Sequence, residues 1–441
     1  MPEGARDGAE VGRETDGNGG DVNDREEGSG LTRRALIAGA AAAAGGAITA
    51  GATRGLVQEA QDPTKVPGAR PVTVGSRSPH ETPEKLLSGS MGGSSRTPLQ
   101  DLHGIMTPAD LHFERHHHGI PYINPATYRL LIHGMVDRPT LFTLEDLKRF
   151  PQVSKLLFIE CSGNGGGAYA PSPSPQHTPQ SVDGLLSTSE WSGVALSTLF
   201  EEVGAHADAT WFLAEGSDAA VMGRSIPMEK AWDDAMIAYA QNGEAIRPEQ
   251  GYPARVFLPG WEGNASVKWV RRIELSDRPG MYRDETSKYT DPLPDGTARQ
   301  FSFVMDAKSI ITYPTYPRRL PGPGFIEITG YAWTGRGLIE RVEVSTDGGD
   351  SWHDAVLQEP VLPKCTTRFR HAWEWDGGPA HLLSRATDET GYTQPVRQQV
   401  LDARGPGTRY HSNAIRGWRG ASDGSIEFAP VCGAPTGSRG C

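Results

Sequence analysis

The helical hydrophobic period in this chain stops at about residue 300. That break constrains the fold more than any motif. From about Met106 to Thr297, strand-like runs alternate with short helical ones; from about Phe301 only short β runs remain, split by Gly, Asp and Pro. A mixed α+β unit followed by an all-β unit is the consequence, and 441 residues suit that division. In the first unit, Thr107-Pro108-Ala109-Asp110 predicts a helix start, and Thr143-Leu144-Glu145-Asp146 a second one, closed by Pro151. Leu196, Leu199, Phe200 and Val203 share one helical face that Gly204 caps. Strands are expected over Tyr128–Val136, Lys155–Ile159, Thr210–Ala214, Met236–Ala240, Ala254–Leu258 and Val267–Leu275. In the second unit the expected strands are Phe325–Trp333, Ile339–Ser345, Trp352–Leu357, Arg368–Trp375 and His381–Thr387. Asp347-Gly348-Gly349 reads as a hairpin turn, and the regular spacing suggests an immunoglobulin-like sandwich.

Outside these units the composition changes. Residues 1–30 are Gly, Asp, Glu and Asn with almost nothing to bury. Arg33-Arg34 then precedes an Ala/Gly stretch, so 1–52 read as a disordered tail and a twin-arginine export signal. Export to the periplasm or another extracytoplasmic space follows. Residues 53–104 read as a Pro/Ser/Gly-rich linker or arm, and 406–441 as a C-terminal tail. The net charge of −11 argues against a nucleic-acid binder, and no uninterrupted apolar run predicts a membrane span in the mature chain.

Cys161 ends an apolar strand and opens Cys161-Ser162-Gly163-Asn164-Gly165-Gly166-Gly167, a place where a side chain can face a pocket while the backbone closes around a ligand. Three readings stand: an inert half-buried thiol, a nucleophile with no base evident nearby, or a thiolate ligand to a soft or high-valent metal. His112 and His116 have zinc-helix spacing, but Gly119, Pro121 and Pro125 follow too closely for a continuing helix. Arg115, Arg255 and Lys268 are singly best read as snorkelling side chains, and together as a local positive site for an anion. The four cysteines include no Cys-x-x-Cys, so a zinc ribbon and a covalent c-type haem are not expected; a Cys432–Cys441 bridge is permitted in an oxidising compartment.

Several ordered blocks resemble the sulfite oxidase family of molybdenum enzymes. Phe113-Glu114-Arg115-His116-His117 is similar to its entry motif, and Phe158-Ile159-Glu160-Cys161-Ser162-Gly163-Asn164 to its metal-ligand segment. Tyr252-Pro253-Ala254-Arg255-Val256 with Val267-Lys268-Trp269 resembles its pterin-binding stretch. Gly223-Arg224-Ser225-Ile226-Pro227 and Ser187-Thr188-Ser189-Glu190-Trp191 fit smaller blocks. Within the family, Glu285 to Asp291 and Arg409 to Ile415 look most like the sulfane dehydrogenase molybdenum subunits of bacterial sulfur oxidation. The resemblance implies a molybdopterin-binding catalytic domain over 105–300 and a dimerisation sandwich over 301–405. It also implies oxo transfer to or from sulfur at Mo-molybdopterin. It makes Cys161 the metal ligand and Arg115, Tyr289, Trp191 and Arg368 the substrate-side residues. His117, Asp218, Arg255, Ser266 and Lys268 become contacts to the pterin and its phosphate. Oxidation of sulfite or protein-bound sulfane sulfur is implied, with electrons passed to a cytochrome c subunit or soluble cytochrome c, in a homodimer or heterotetramer without haem in this chain. A methionine-sulfoxide reductase of the same fold and a non-catalytic exported binding protein are the alternatives. One departure stands out: many sulfite oxidases carry a substrate arginine shortly after the cysteine, where this chain has Gly165 and Gly166.

Overall fold

Burial along Gln152–Glu160 rises from exposed residues at its start to a run of four buried ones at its end, so this strand leads the chain from the surface into its interior. It pairs antiparallel with Leu186–Ala195, which pairs with Met236–Gln241; Glu244–Ala245 and Arg255–Phe257 complete that sheet. A second sheet orders Thr140–Phe142, Leu130–Gly134, Val270–Ser276, Trp211–Gly216 and Gly223–Pro227, with only the Leu130–Gly134 and Val270–Ser276 pair parallel. The helix Leu196–Val203 buries its predicted face, Leu196, Leu199, Phe200 and Val203, in the core these sheets share. Each such side chain contributes about 1.5–3 kcal/mol. Gly204 stops the helix at φ 68°, where a side chain would be strained. The short helix Leu144–Leu147 carries the expected Thr143–Asp146 capping box.

This is a computed structural model, and it describes residues 65–169, 173–293, 295–405 and 408–431. The twin-arginine segment, the acidic tail, Cys432 and Cys441 lie outside the described residues. Residues 65–76 are exposed and fall in a contact unit separate from the one beginning at Arg77, to which everything below belongs.

The second domain is a sandwich. One sheet orders Lys308–Tyr313, Gly324–Trp333, Thr367–Trp375 and Val356–Gln358. The other orders His353–Asp354, Ile339–Ser345, Ala380–Asp388, Gly417–Gly420 and Ile426–Phe428. The predicted strand at Trp352–Leu357 is two strands in opposite sheets, pivoting at Ala355. Gly348 and Gly349 take φ 82° and 101° in the expected turn.

Four expectations need correction. The tail at 406–441 supplies two sandwich strands, and its Trp418 and Phe428 are buried in the core; segments of four and three residues are too short to show a period. The arm is structured from Leu86, where Leu86–Ser88 and Ser94–Arg96 form a sheet with Glu114–Arg115. The helix expected from Thr107 is a single 3-10 turn, Ala109–Leu111, because one turn cannot offset nucleation against the pairing available just beyond it. The strand expected from Val267 begins only at Val270.

Leu99, Phe158, Val182 and Leu186 of the first domain pack in one apolar cluster with Ile310, Trp333 and Trp418 of the sandwich. Beside it lies a buried ionic network. Lys308 Nζ is 2.9 Å from Glu160 and 2.6 Å from Asp183, Arg416 Nε is 3.1 Å from Asp183, and Trp333 Nε1 donates to Glu160 at 2.6 Å. The strand that delivers Cys161 is thus fastened to the second domain one residue before it.

Candidate active site

Asn164 shapes the turn that holds Cys161. Its Nδ2 donates to Glu160 at 2.9 Å and to the Asp183 carbonyl at 3.0 Å, while its Oδ1 accepts from Leu185 N at 3.0 Å. Gly263 lies so close to the Glu160 carbonyl, with its N–H 2.6 Å away, that a Cβ would be forced against it. The Cys161 side chain therefore faces a cleft with Arg115, His117, Asp218, Arg255, Ser266, Lys268 and Tyr289 in its walls. Eight of the ten predicted site residues meet there, counting Cys161.

The cations lie deep. Arg255 donates to the Gln250 carbonyl at 3.0 Å and the Ser266 carbonyl at 2.8 Å, leaving Nε buried with no partner among the described residues. Burial lowers its pKa to about 9. Lys268 Nζ donates to Arg115 and Glu249 carbonyls at 3.2 and 3.0 Å and lies 2.9 Å from His116 Nδ1. Burial and neighbouring Arg255 hold its pKa well below the usual lysine value. His117 is held near 4 by burial, then by Arg115 and Lys288, and its Nε2 is 3.0 Å from the Tyr289 hydroxyl. Burial raises the Cys161 thiol, against the Gly163 N–H and Arg115, which favour the thiolate. Such a cluster of desolvated positive groups favours an anionic ligand and gains a thiolate most readily with a metal present.

Val221, Trp269, Tyr289 and His411, all at or beside the cleft, have φ of 49°, 52°, 54° and 52°. Four side-chain-bearing residues in left-handed backbone, each costing about 1–3 kcal/mol, mark a site whose geometry is imposed by its surroundings.

Two predicted residues lie elsewhere. Trp191 is fully buried beneath the cleft floor, 4.7 Å from the Phe257 ring with Arg255 stacked 5.2 Å above it, so it supports a cation and walls nothing. Arg368 donates to the Leu102 and Gly104 carbonyls at 3.0 and 3.3 Å and to the Tyr331 hydroxyl at 2.9 Å; it pins the arm to the sandwich. The zinc pair is likewise apart. His112 is enclosed by Phe113 and Trp191, His116 binds Glu114 and Lys268, and no cluster of three metal-ligating side chains occurs among the described residues.

Sequence reasoning assigned no role to Arg224, Glu262, Asn264, Glu285 or His411. Arg224 Nη2 is 2.8 Å from Glu262, Asn264 donates to Ser162 Oγ at 2.9 Å, and His411 Nε2 lies 3.2 Å from Glu262. Arg224 pulls Glu262 to about 2 against the opposing effect of burial, helped by His411 and Asn264. A charge inside the buried strand Gly223–Pro227 was the available signal. Gly165 faces away from the cleft: a Cβ there would meet Arg416, Asp183 and Lys308, so a large side chain has no room.

Residues 117–282 match the family model of the oxidoreductase molybdopterin binding domain, and residues 299–417 that of the Mo-co oxidoreductase dimerisation domain. The crystal structure of the sulfane dehydrogenase SoxCD from Paracoccus pantotrophus superposes with a TM-score of 0.80 at 42% identity, over 87% of this chain and 100% of that one. The chain belongs to the sulfite oxidase family of molybdopterin oxidoreductases. Sulfite oxidase of Gallus gallus is 29% identical over 367 residues, 76% of this chain and 75% of that protein. A nitrate reductase of Solanum lycopersicum is 30% identical over 361 residues, 70% of this chain, which thereby spans 38% of the longer enzyme. The cleft fits the family's cofactor. The Cys161 thiol supplies a soft donor, and Arg255 with its free Nε, Lys268 and His117 supply the donors a pterin phosphate needs.

Proposed function

We propose that this member of the family oxidises sulfur, taking sulfite or protein-bound sulfane sulfur as donor and passing the electrons to an external cytochrome c. For sulfite, sulfite and water give sulfate, two protons and two electrons. Molybdenum bound by its pterin supplies the exchange of an oxygen atom and two electrons with sulfur. The single observation that carries the reading is one thiol, Cys161, facing a cleft whose walls carry three cationic side chains, Arg115, Arg255 and Lys268, against one carboxylate, Asp218.

The chain's own residues do the rest. Arg115 draws the anionic donor toward the cleft, and Lys268 and Arg255 would hold the cofactor's phosphate end, Arg255 from a buried position that weakens screening by water. Tyr289, whose phenol burial keeps protonated, presents a hydroxyl beside His117 as a hydrogen-bond donor to oxygen at the reacting sulfur. The likeness to SoxCD favours sulfane sulfur over free sulfite. Export by the twin-arginine route accords with a cofactor loaded before transport. The missing Cys-x-x-Cys-His motif accords with a partner that carries the haem, in a homodimer or a heterotetramer with that partner.

Protein from a host that makes molybdopterin is expected to contain close to one molybdenum per chain and to reduce cytochrome c with a protein persulfide faster than with sulfite. Cys161→Ser should abolish the reduction, a loss of at least about 100-fold. Molybdenum-loaded protein that reduces cytochrome with neither donor would overturn the assignment.

A further inference from the structure

We propose that Arg224 is a positioning residue of this site, holding Tyr289 above the cleft and the Ser162 hydroxyl beside Cys161. The proposal rests on the oxidoreductase reading for what the site does, and on geometry alone for what Arg224 does. The guanidinium is almost fully enclosed in a β-strand, where an unneeded charge would be strongly disfavoured. Its Nη2 donates to Glu262 at 2.8 Å, its Nη1 to Asn264, and its Nε is 3.7 Å from Glu285. Its remaining face lies 5.4 Å from the centroid of the Tyr289 ring.

Each contact leads onward to the cleft. Asn264 donates to Ser162 Oγ at 2.9 Å; His411 is 3.2 Å from Glu262 by its ring and donates its own N–H to the Ser162 carbonyl at 2.8 Å. Tyr289 meets His117 at 3.0 Å. Tyr289 and His411 are both in left-handed backbone, so side-chain contacts must hold them there. The other side of the cysteine turn is unavailable for this task, because Gly165 abuts the Lys308 network. Arg224 is the cation from which both the phenol and the cysteine turn are braced.

The test compares Arg224→Met, Arg224→Lys, Tyr289→Phe and the Arg224→Met/Tyr289→Phe double variant, in full-length enzyme. Expected are wild-type molybdenum content in all four and kcat lowered about 10–100-fold in Arg224→Met with KM changed far less. Arg224→Lys should recover most of that loss. The double variant should be no slower than the slower single, since one residue acts through the other. With 3-fluorotyrosine at position 289, a single ¹⁹F resonance should split or broaden in Arg224→Met, a readout that needs no turnover. Multiplicative losses, an unchanged ¹⁹F line, or loss of molybdenum from both Arg224 variants would overturn the proposal. An inactive wild type with the ¹⁹F change intact would instead count against the sulfur-oxidising reading.

Discussion

His112 shows how a residue that looks like a ligand can be a pH-dependent weakness instead. It has no solvent exposure, its Nδ1 lies 3.0 Å from the Phe113 carbonyl, and Nε2 has no partner among the described residues. Burial is the main cause that lowers its pKa from 6.5 to about 3, opposed by that carbonyl and reinforced by Arg255. The unfolded chain therefore binds a proton at mildly acidic pH that the folded chain refuses. Stability from this residue is complete above about 6.5 and is lost as pH drops toward 3, the loss being about 2 kcal/mol at pH 5. Denaturation of wild type and His112→Phe at pH 7.5 and 5.0 should show the wild type losing more by about that amount. Equal losses would mean that His112 titrates normally. Cys161 is the complementary case. Its thiol packs with Ile159 and Phe113 while lining the cleft, so in protein made without molybdopterin Cys161→Ser should lower the melting temperature only slightly, and in loaded protein by more, because a bound group stabilises the fold.

At the scale of elements, the end of the Gln152–Glu160 strand, the helix Pro179–Asp183 and the strand Lys308–Tyr313 are joined by Glu160, Asp183 and Lys308. Lys308→Met removes the cation and leaves two buried carboxylates facing each other, with Arg416 alone to balance Asp183. A loss of about 3–5 kcal/mol is expected in urea denaturation, the usual consequence of breaking a buried pair. A change below about 1 kcal/mol would show the network to be solvated. None of this was readable beforehand, because Glu160, Asp183 and Lys308 are distant in sequence and charged residues carry no period. What was readable had a local cause: the Leu196–Val203 stripe, the Thr143–Asp146 box, the Gly348-Gly349 turn, and the Cys161 segment with its cations on strand ends. Trp191 and Arg368 were misplaced for a related reason, since motif order gives a residue's neighbours along the chain but not which face of the strand it occupies. The Gly223–Pro227 motif gives no sign of what Arg224 does, because its partners Glu262 and Glu285 come from separate segments.

From Arg77 onward the second core is built by both domains, so the two should unfold together. Phe158 and Leu186 belong to the strands that deliver and flank Cys161, yet they are buried against Trp333, Ile310 and Tyr331 of the sandwich. A chain ending at Gln300 would expose those side chains and strand Glu160 without Lys308 or Trp333. It would also lose His411 from beside Glu262 and Ser162. The exposed apolar surface and the unpaired buried carboxylate act in the same direction. The 105–300 fragment should therefore be insoluble or lack a cooperative unfolding transition, and full-length protein should unfold in one calorimetric transition rather than two. Residues 408–428 matter equally: ending the chain at Arg404 deletes the strands carrying Trp418 and Phe428 and opens an edge on Ala380–Asp388. That truncation should abolish molybdenum binding as well as sandwich stability, since Arg416 and His411 tie the same segment to the cysteine turn. A soluble, molybdenum-replete protein ending at Arg404 would show that neither the sandwich nor the cysteine turn depends on this segment.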